Sequence, residues 1–132
     1  MLRIPRDLAD IIVQHARQGF PLEVCGILGG KDGAVSSLYR MTNTDKSNEH
    51  FMMDPKEQFA VMNKMRGAGL EMLAVYHSHP DGPSRPSAED IRLALTPDVS
   101  YVIVSLEAAN NPVLKSFRIA AGRVEPEEVE YL

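Results

Sequence analysis

Cysteine is almost missing: Cys25 is the only one in 132 residues. No disulfide can close within the chain and no cysteine-rich structural metal site can be built from it, which suits a reducing compartment. There is no tryptophan, and aromatic residues make up 6% of the chain, too few for a base-stacking surface. Positive charge is not in excess either. Lys and Arg number 14 against 18 Asp and Glu, a net charge of −4, and the C-terminal EPEEVEYL is acidic. Nucleic acid is therefore not an expected partner, because phosphate contacts need a basic stripe. No apolar run approaches the roughly 18 residues that span a bilayer. The opening MLRIPRDLAD sets Arg3, Arg6, Asp7 and Asp10 where an export signal needs an apolar core. The expectation is a cytoplasmic protein with no membrane partner.

Hydrophobic residues at 44% and charged residues at 24% are ordinary globular proportions. Residues 1–132 are expected to form one domain. Leu8, Ile11, Ile12 and His15 form an amphipathic stripe behind Pro5, closed by Gly19 and Pro21. A second helix opens at Asp54-Pro55, with Asp54 as N-cap and Glu57 completing a capping-box-like arrangement. Phe59, Met62 and Met65 would make its apolar face. A third helix starts at Ser87, carries Asp90, Ile91, Leu93, Ala94 and Leu95, and is stopped by Pro97. Strands are expected over Val24–Leu28, Ala34–Arg40, Met72–Tyr76, Tyr101–Leu106 and Val113–Ala120. Leu73–Val75 and Val102–Val104 are continuously apolar, as in strands covered on both faces, whereas the alternation of 113–120 places it nearer an edge. Interleaved helices and strands imply a layered α/β domain with a mixed sheet.

The chemistry lies in Tyr76-His77-Ser78-His79-Pro80 and the ten residues that follow. Period-two geometry sends His77 and His79 to one side as a strand leaves the sheet. The loop is stiffened by Pro80, Pro83 and Pro86 and re-enters a helix whose first turn holds Asp90, able to reach back to the histidines. Two histidines and a carboxylate leave one tetrahedral position open, the construction of catalytic rather than structural zinc sites. Water on such an ion falls in pKa from about 15.7 to near 7. A proton acceptor that is not a ligand is still needed, and Glu23 in PLEVCGILGG is the candidate.

Bland readings compete for each residue. A lone pair of histidines is more often structural, and the added spacing to Ser87 and Asp90 is what favours metal. Ser87 also reads as an N-cap. Cys25 reads as core rather than nucleophile, and His15 as a half-buried helix residue. His50 and Glu49 sit in a polar loop that covers one side of the cleft.

The segment from His77 to Asp90 matches the motif of the JAMM (MPN-plus) metalloprotease family, and Pro21–Gly29 resembles its upstream glutamate block. Asn43 and Phe51-Met52-Met53-Asp54-Pro55 resemble recurring features of its short bacterial members. The resemblance covers nearly the whole chain. It implies a three-layer, cytidine-deaminase-like α/β/α fold, one zinc ion on His77, His79 and Asp90, Glu23 as general acid/base, and Ser87 holding the reacting oxygen. It further implies a peptidase or isopeptidase acting at the C-terminal Gly-Gly tail of a ubiquitin-like or sulfur-carrier protein. The tail would add as a strand beside the loop at 41–53. A zinc hydrolase of other small peptides or amides, and a non-catalytic tail-binding module, remain open, as does a homodimer. A nucleobase deaminase would need H-x-E and P-C-x-x-C elements that this chain lacks.

Overall fold

The computed structural model describes residues 1–96, 98–108 and 110–132. In chain order these form β1 (Leu2–Ile4), α1 (Arg6–Gly19), β2 (Cys25–Lys31), β3 (Ala34–Met41), α2 (Pro55–Gly67), β4 (Glu71–His79), α3 (Ala88–Arg92), β5 (Ser100–Ser105), β6 (Val113–Ala120), β7 (Arg123–Glu127) and β8 (Val129–Tyr131). Among the described residues the strands make one eight-stranded sheet, ordered β7-β6-β5-β4-β2-β3-β1-β8. It is mixed: β4 runs antiparallel to β2 and parallel to β5.

Three apolar clusters define the layers. Ala9, Ile12 and Ala16 of α1 pack on Leu28, Ala74, Tyr76, Val102 and Val104 from one sheet face. On the opposite face Met65 of α2 packs with Cys25, Ile27 and Met41, while Ile91 of α3 lies against Ile103, Phe117 and Ile119. Val102 and Ile103 thus serve opposite layers, which is why that run is apolar at every position. The expected three-layer α/β/α fold with a mixed sheet is the one observed. Among the described residues no helix is long and apolar enough to cross a membrane.

The differences from expectation are local. β4 does not end at Tyr76 but pairs onward to His79, because Ser78 and both histidines continue the ladder with β5. α3 stops at Arg92 instead of running past Leu95, leaving Leu93 and Leu95 exposed. Pro97, the expected stop, lies outside the described residues. In α2 the Asp54 side chain caps Lys56 N–H at 2.9 Å. Glu57 completes no capping box there; its carboxylate accepts instead from the Thr42 N–H and hydroxyl at 2.6 and 2.8 Å, tying α2 to the end of β3. Phe59 is 70% exposed, so the buried side of α2 rests on Met65 and Val61 rather than on the Phe59–Met62 stripe. β6 is covered at the outside by β7, a strand with Pro126 and three charged residues whose sequence gave no apolar alternation.

Tyr76 spans the sheet toward α1. Its ring lies across Gly26, where any side chain would collide with it, and its hydroxyl meets His15 Nδ1 at 2.7 Å. Burial, helped by the nearby Arg40 charge, lowers the His15 pKa to about 4. The folded state therefore favours neutral His15, and the unfolded chain binds the extra proton between about pH 6.5 and 4. This group's stability is present above pH 6.5 and is lost as pH falls through 4, an effect of ~2–3 kcal/mol. His15→Gln keeps a hydrogen-bonding group without the titration. Urea midpoints measured from pH 7 to 4 should fall more steeply for wild type than for this variant; parallel curves would remove His15 from the acid response.

Candidate metal centre

The site forms where β4 ends beside the start of β2. Cys25 pairs antiparallel with His77, and the register continues outward as Ser78 N–H donates to the Val24 carbonyl at 3.0 Å. That register sets Glu23 opposite His79 on the same sheet face. Ser78 faces the other way and fixes the junction, its hydroxyl accepting from Val24 N–H at 2.9 Å. Sequence reasoning assigned Ser78 no role; its position between two same-face histidines was the available signal.

Asp90 arrives from the first turn of α3. Ser87 Oγ accepts from Asp90 N–H and Asp90 Oδ2 accepts from Ser87 N–H, both at 3.0 Å, a reciprocal cap that locks the carboxylate's direction. The loop before it is tied to the sheet by Ser84 Oγ donating to the Ile103 carbonyl at 2.7 Å and Ser105 Oγ to the Gly82 carbonyl at 2.6 Å.

The result is a triangle of donor atoms. His77 Nε2 lies 3.1 Å from His79 Nε2 and 3.1 Å from Asp90 Oδ2, and His79 Nε2 is 3.0 Å from the same oxygen. His79 donates its Nδ1–H to the Pro83 carbonyl at 2.8 Å, which leaves Nε2 as a bare lone pair in the neutral ring. Phe51 stacks on the His77 ring with centroids 4.7 Å apart. Three ligand atoms at the corners of a tetrahedron around zinc, each ~2.0–2.1 Å from the metal, would sit ~3.3–3.4 Å apart. The observed edges fall a few tenths short of that, so the donor set fits a zinc-sized cation with little movement. Burial lowers the His77 pKa despite Asp90 beside it. Burial works against protonation of His79, but its bonds to Asp90 and the Pro83 carbonyl outweigh this and raise its pKa, so without metal the ring donates from both nitrogens and gives up the Nε2 proton on metal binding. Burial opposes ionisation of Asp90, but the bonds from His77 and His79 hold its carboxyl far below the usual range. A neutral imidazole and an ionised carboxylate are the forms that ligate metal.

Glu23 is 4% exposed, and among the described residues its Oε1 has no hydrogen-bond partner. Its backbone is held on both sides: the N–H donates to the Ser47 carbonyl at 2.8 Å, and the carbonyl accepts from Asn43 Nδ2 at 3.1 Å. Asn43, noted in the sequence only as a family feature, also donates to the His50 carbonyl and accepts from Asp45 and Met52 N–H. One amide thus fastens the loop carrying Phe51 to the segment before β2 that carries Glu23. Burial pushes the Glu23 pKa up to about 7; Asp90 and Glu89 add to the rise, and His79 and His50 oppose it.

Two recesses flank the triangle. A polar one of about 470 Å³ is lined by Glu23, Glu49, His79, Arg85 and Ser87 among others. A more apolar one of about 370 Å³ is lined by Phe51, Met52, Met53, Leu93 and Tyr101, together with His77, Glu89 and Asp90. All five residues singled out from sequence are therefore placed around one centre. Cys25 is buried in the core, as expected.

A small α/β protein with a buried two-histidine, one-carboxylate cluster and an adjacent unpartnered carboxyl is the class that fold and site define. The family model described as prokaryotic homologs of the JAB domain matches residues 5–120. The CysO-cysteine peptidase of Mycobacterium tuberculosis is 37% identical over 131 residues, covering 98% of this chain and 90% of that protein. The desampylase of Haloferax volcanii is 33% identical over 111 residues, covering 79% and 80%. The solution structure of protein DSY2949 from Desulfitobacterium hafniense superposes with a TM-score of 0.92 at 45% identity, covering 100% of this chain and 93% of that one. The chain belongs to the prokaryotic JAB-domain (JAMM) family and is a hydrolytic enzyme.

Proposed function

We propose that residues 1–132 act as one zinc-dependent peptidase domain in the cytoplasm, hydrolysing an amide bond at the C-terminal Gly-Gly tail of a ubiquitin-like or sulfur-carrier protein. The observation that carries this reading is the triangle of His77, His79 and Asp90 donor atoms with the partnerless Glu23 carboxyl beside it. The names of relatives support the substrate class, since one is a CysO-cysteine peptidase and another a probable TtuB-protein conjugate cleaving protease.

His77, His79 and Asp90 would hold the metal, and zinc bound there would supply Lewis-acid polarisation and lower the pKa of water toward neutral. Glu23 removes the proton of the attacking water through Oε1 and returns it to the departing amine nitrogen. Burial raises the Glu23 pKa in the metal-free chain, and the charge of a bound cation would draw it back toward the ionised form that accepts a proton. The Ser87 oxygen accepts from Asp90 N–H and keeps its own hydrogen to donate to the carbonyl oxygen as negative charge builds there. Loss of one such donor typically costs ~3 kcal/mol of transition-state stabilisation. Phe51 shields His77 from water, and the Pro83 carbonyl holds the His79 ring in its ligating orientation.

The test compares a ubiquitin-fold sulfur carrier ending in Gly-Gly-Ala with a free peptide of the same terminal sequence. Zinc-loaded protein should trim the carrier to Gly-Gly with kcat/KM at least about tenfold above the peptide, equivalent to ~1.4 kcal/mol from the folded part of the carrier. Equal rates would reassign the chain as a general peptide hydrolase. Tight carrier binding without cleavage would make it a tail-binding module.

A further inference from the structure

Resting on that reading, we infer that Arg85 receives the free α-carboxylate of the leaving residue, so that the preferred substrate is a tail extended by a single amino acid rather than an internal or side-chain amide. Among the described residues Arg85 is the one Lys or Arg side chain lining either recess, and its guanidinium has no hydrogen-bond or ion-pair partner there.

The polarity of the substrate follows from Glu23. The group that protonates the departing amine must face the leaving side of the scissile bond, and Glu23 lines the polar recess but not the apolar one. The leaving residue therefore enters the recess that holds Arg85, and the carrier's tail crosses the side lined by Phe51, Met52 and Leu93. In a single amino acid the carboxylate lies within one residue's reach, ~3.5 Å, of the amine being released. It stays inside the same recess. A lysine ε-amine leaving group brings no carboxylate to that distance.

The position of Arg85 is set by the metal cluster's own scaffold. The Pro83 carbonyl that accepts His79 Nδ1–H also accepts Arg85 N–H, at 2.8 and 2.9 Å. Buried Ser84 is fastened to the Ile103 carbonyl, and Pro86 leads directly to Ser87. The Arg85 backbone is thus anchored to a ligand on one side and adjoins the capped start of α3 on the other. Electrostatics makes this cation decisive. Glu23, Glu49 and Asp81 line the same recess, so an incoming carboxylate meets repulsion unless a guanidinium receives it. The planar fork of arginine matches a carboxylate with two parallel hydrogen bonds. The bond cleaved is the same amide as before: water's oxygen joins the carrier's terminal glycine carbonyl, and the free amino acid leaves with the transferred proton.

The experiment uses the zinc-loaded full chain and the Gly-Gly-Ala carrier, prepared once with a free C-terminal carboxylate and once as the C-terminal amide. Wild type should favour the free acid by tenfold or more in kcat/KM, the range of a charge-assisted hydrogen bond. In Arg85→Gln the acid-to-amide ratio should collapse to about one, and Arg85→Lys should restore part of it. Zinc content is measured in each variant to show that the cluster is intact. A wild-type ratio near one overturns the assignment while leaving the peptidase reading standing, as does an Arg85→Gln variant that keeps the wild-type ratio. Cleavage of neither form overturns both readings together.

Discussion

Glu23→Gln should abolish turnover while leaving the metal in place. The backbone bonds of residue 23 to the Ser47 carbonyl and the Asn43 amide do not depend on its side chain, and glutamine has nearly the shape of glutamate, but it can neither take a proton from water nor return one to an amine. The expected fall in kcat is about 10²–10⁴-fold, the range for loss of a positioned acid–base group. Zinc content should match wild type, because Glu23 is not one of the three clustered donors. The same substitution has a second, opposite effect on stability. The Glu23 pKa is raised from 4.5 to about 7, so its stability contribution is present below about pH 4.5 and is lost as pH rises through 7. At pH 8 the metal-free wild type buries a partnerless charge that the neutral amide avoids. Metal-free Glu23→Gln should therefore be more stable than wild type by ~2–3 kcal/mol at pH 8, with the gain shrinking toward pH 5. Urea denaturation at the two pH values measures this. Full activity in the variant, or lower stability at pH 8, would place Glu23 outside the chemistry described for it.

The second large effect is on metal loading. Replacing His77, His79 or Asp90 by alanine should reduce bound zinc from one per chain to near zero, with activity at background. Each supplies one corner of a triangle whose edges are 3.0–3.1 Å, and two remaining donors hold zinc far more weakly than three. Asp90 also closes the cap of a five-residue helix, so Asp90→Ala loosens α3 as well. Asp90→Asn separates the two roles. Its amide oxygen still accepts from Ser87 N–H, while the anionic ligand is gone. The expected outcome is a melting temperature close to that of metal-free wild type together with lost zinc. In wild type, adding zinc should raise the melting temperature, since a ligand at a hundred times its Kd contributes ~2.7 kcal/mol to the folded state. Elemental analysis and thermal melts in zinc and in chelator decide both points.

The clustering of His77, His79 and Asp90 was legible in sequence because its parts obey local rules. His77 and His79 share a face by strand parity, and Ser87 with Asp90 carries the spacing of a reciprocal cap. Glu23 was singled out as the non-ligand proton acceptor that such a site needs, but its place beside His79 depends on the non-local pairing of β2 with β4, which spacing does not show. The elements that escaped are those without an apolar period. β1 and β8 are three residues each and depend on pairing with each other, and β7 is mostly charged. Phe59 looked like core because helix periodicity identifies a stripe but not which neighbour covers it; here the sheet contacts Met65 and Val61. Glu57 matched a capping pattern, yet two donors on Thr42 compete for it successfully. Asn43 acts through the Glu23 and His50 carbonyls and the Asp45 and Met52 N–H groups, partners that spacing alone does not reveal.

Diffraction at the zinc absorption edge, from crystals grown with one equivalent of the metal, is the most direct test of the site. One anomalous peak should appear ~2.0–2.1 Å from His77 Nε2, His79 Nε2 and an Asp90 oxygen, with the Glu23 carboxyl facing its open side. A peak held by other side chains, or none at these three, would contradict the metallopeptidase assignment.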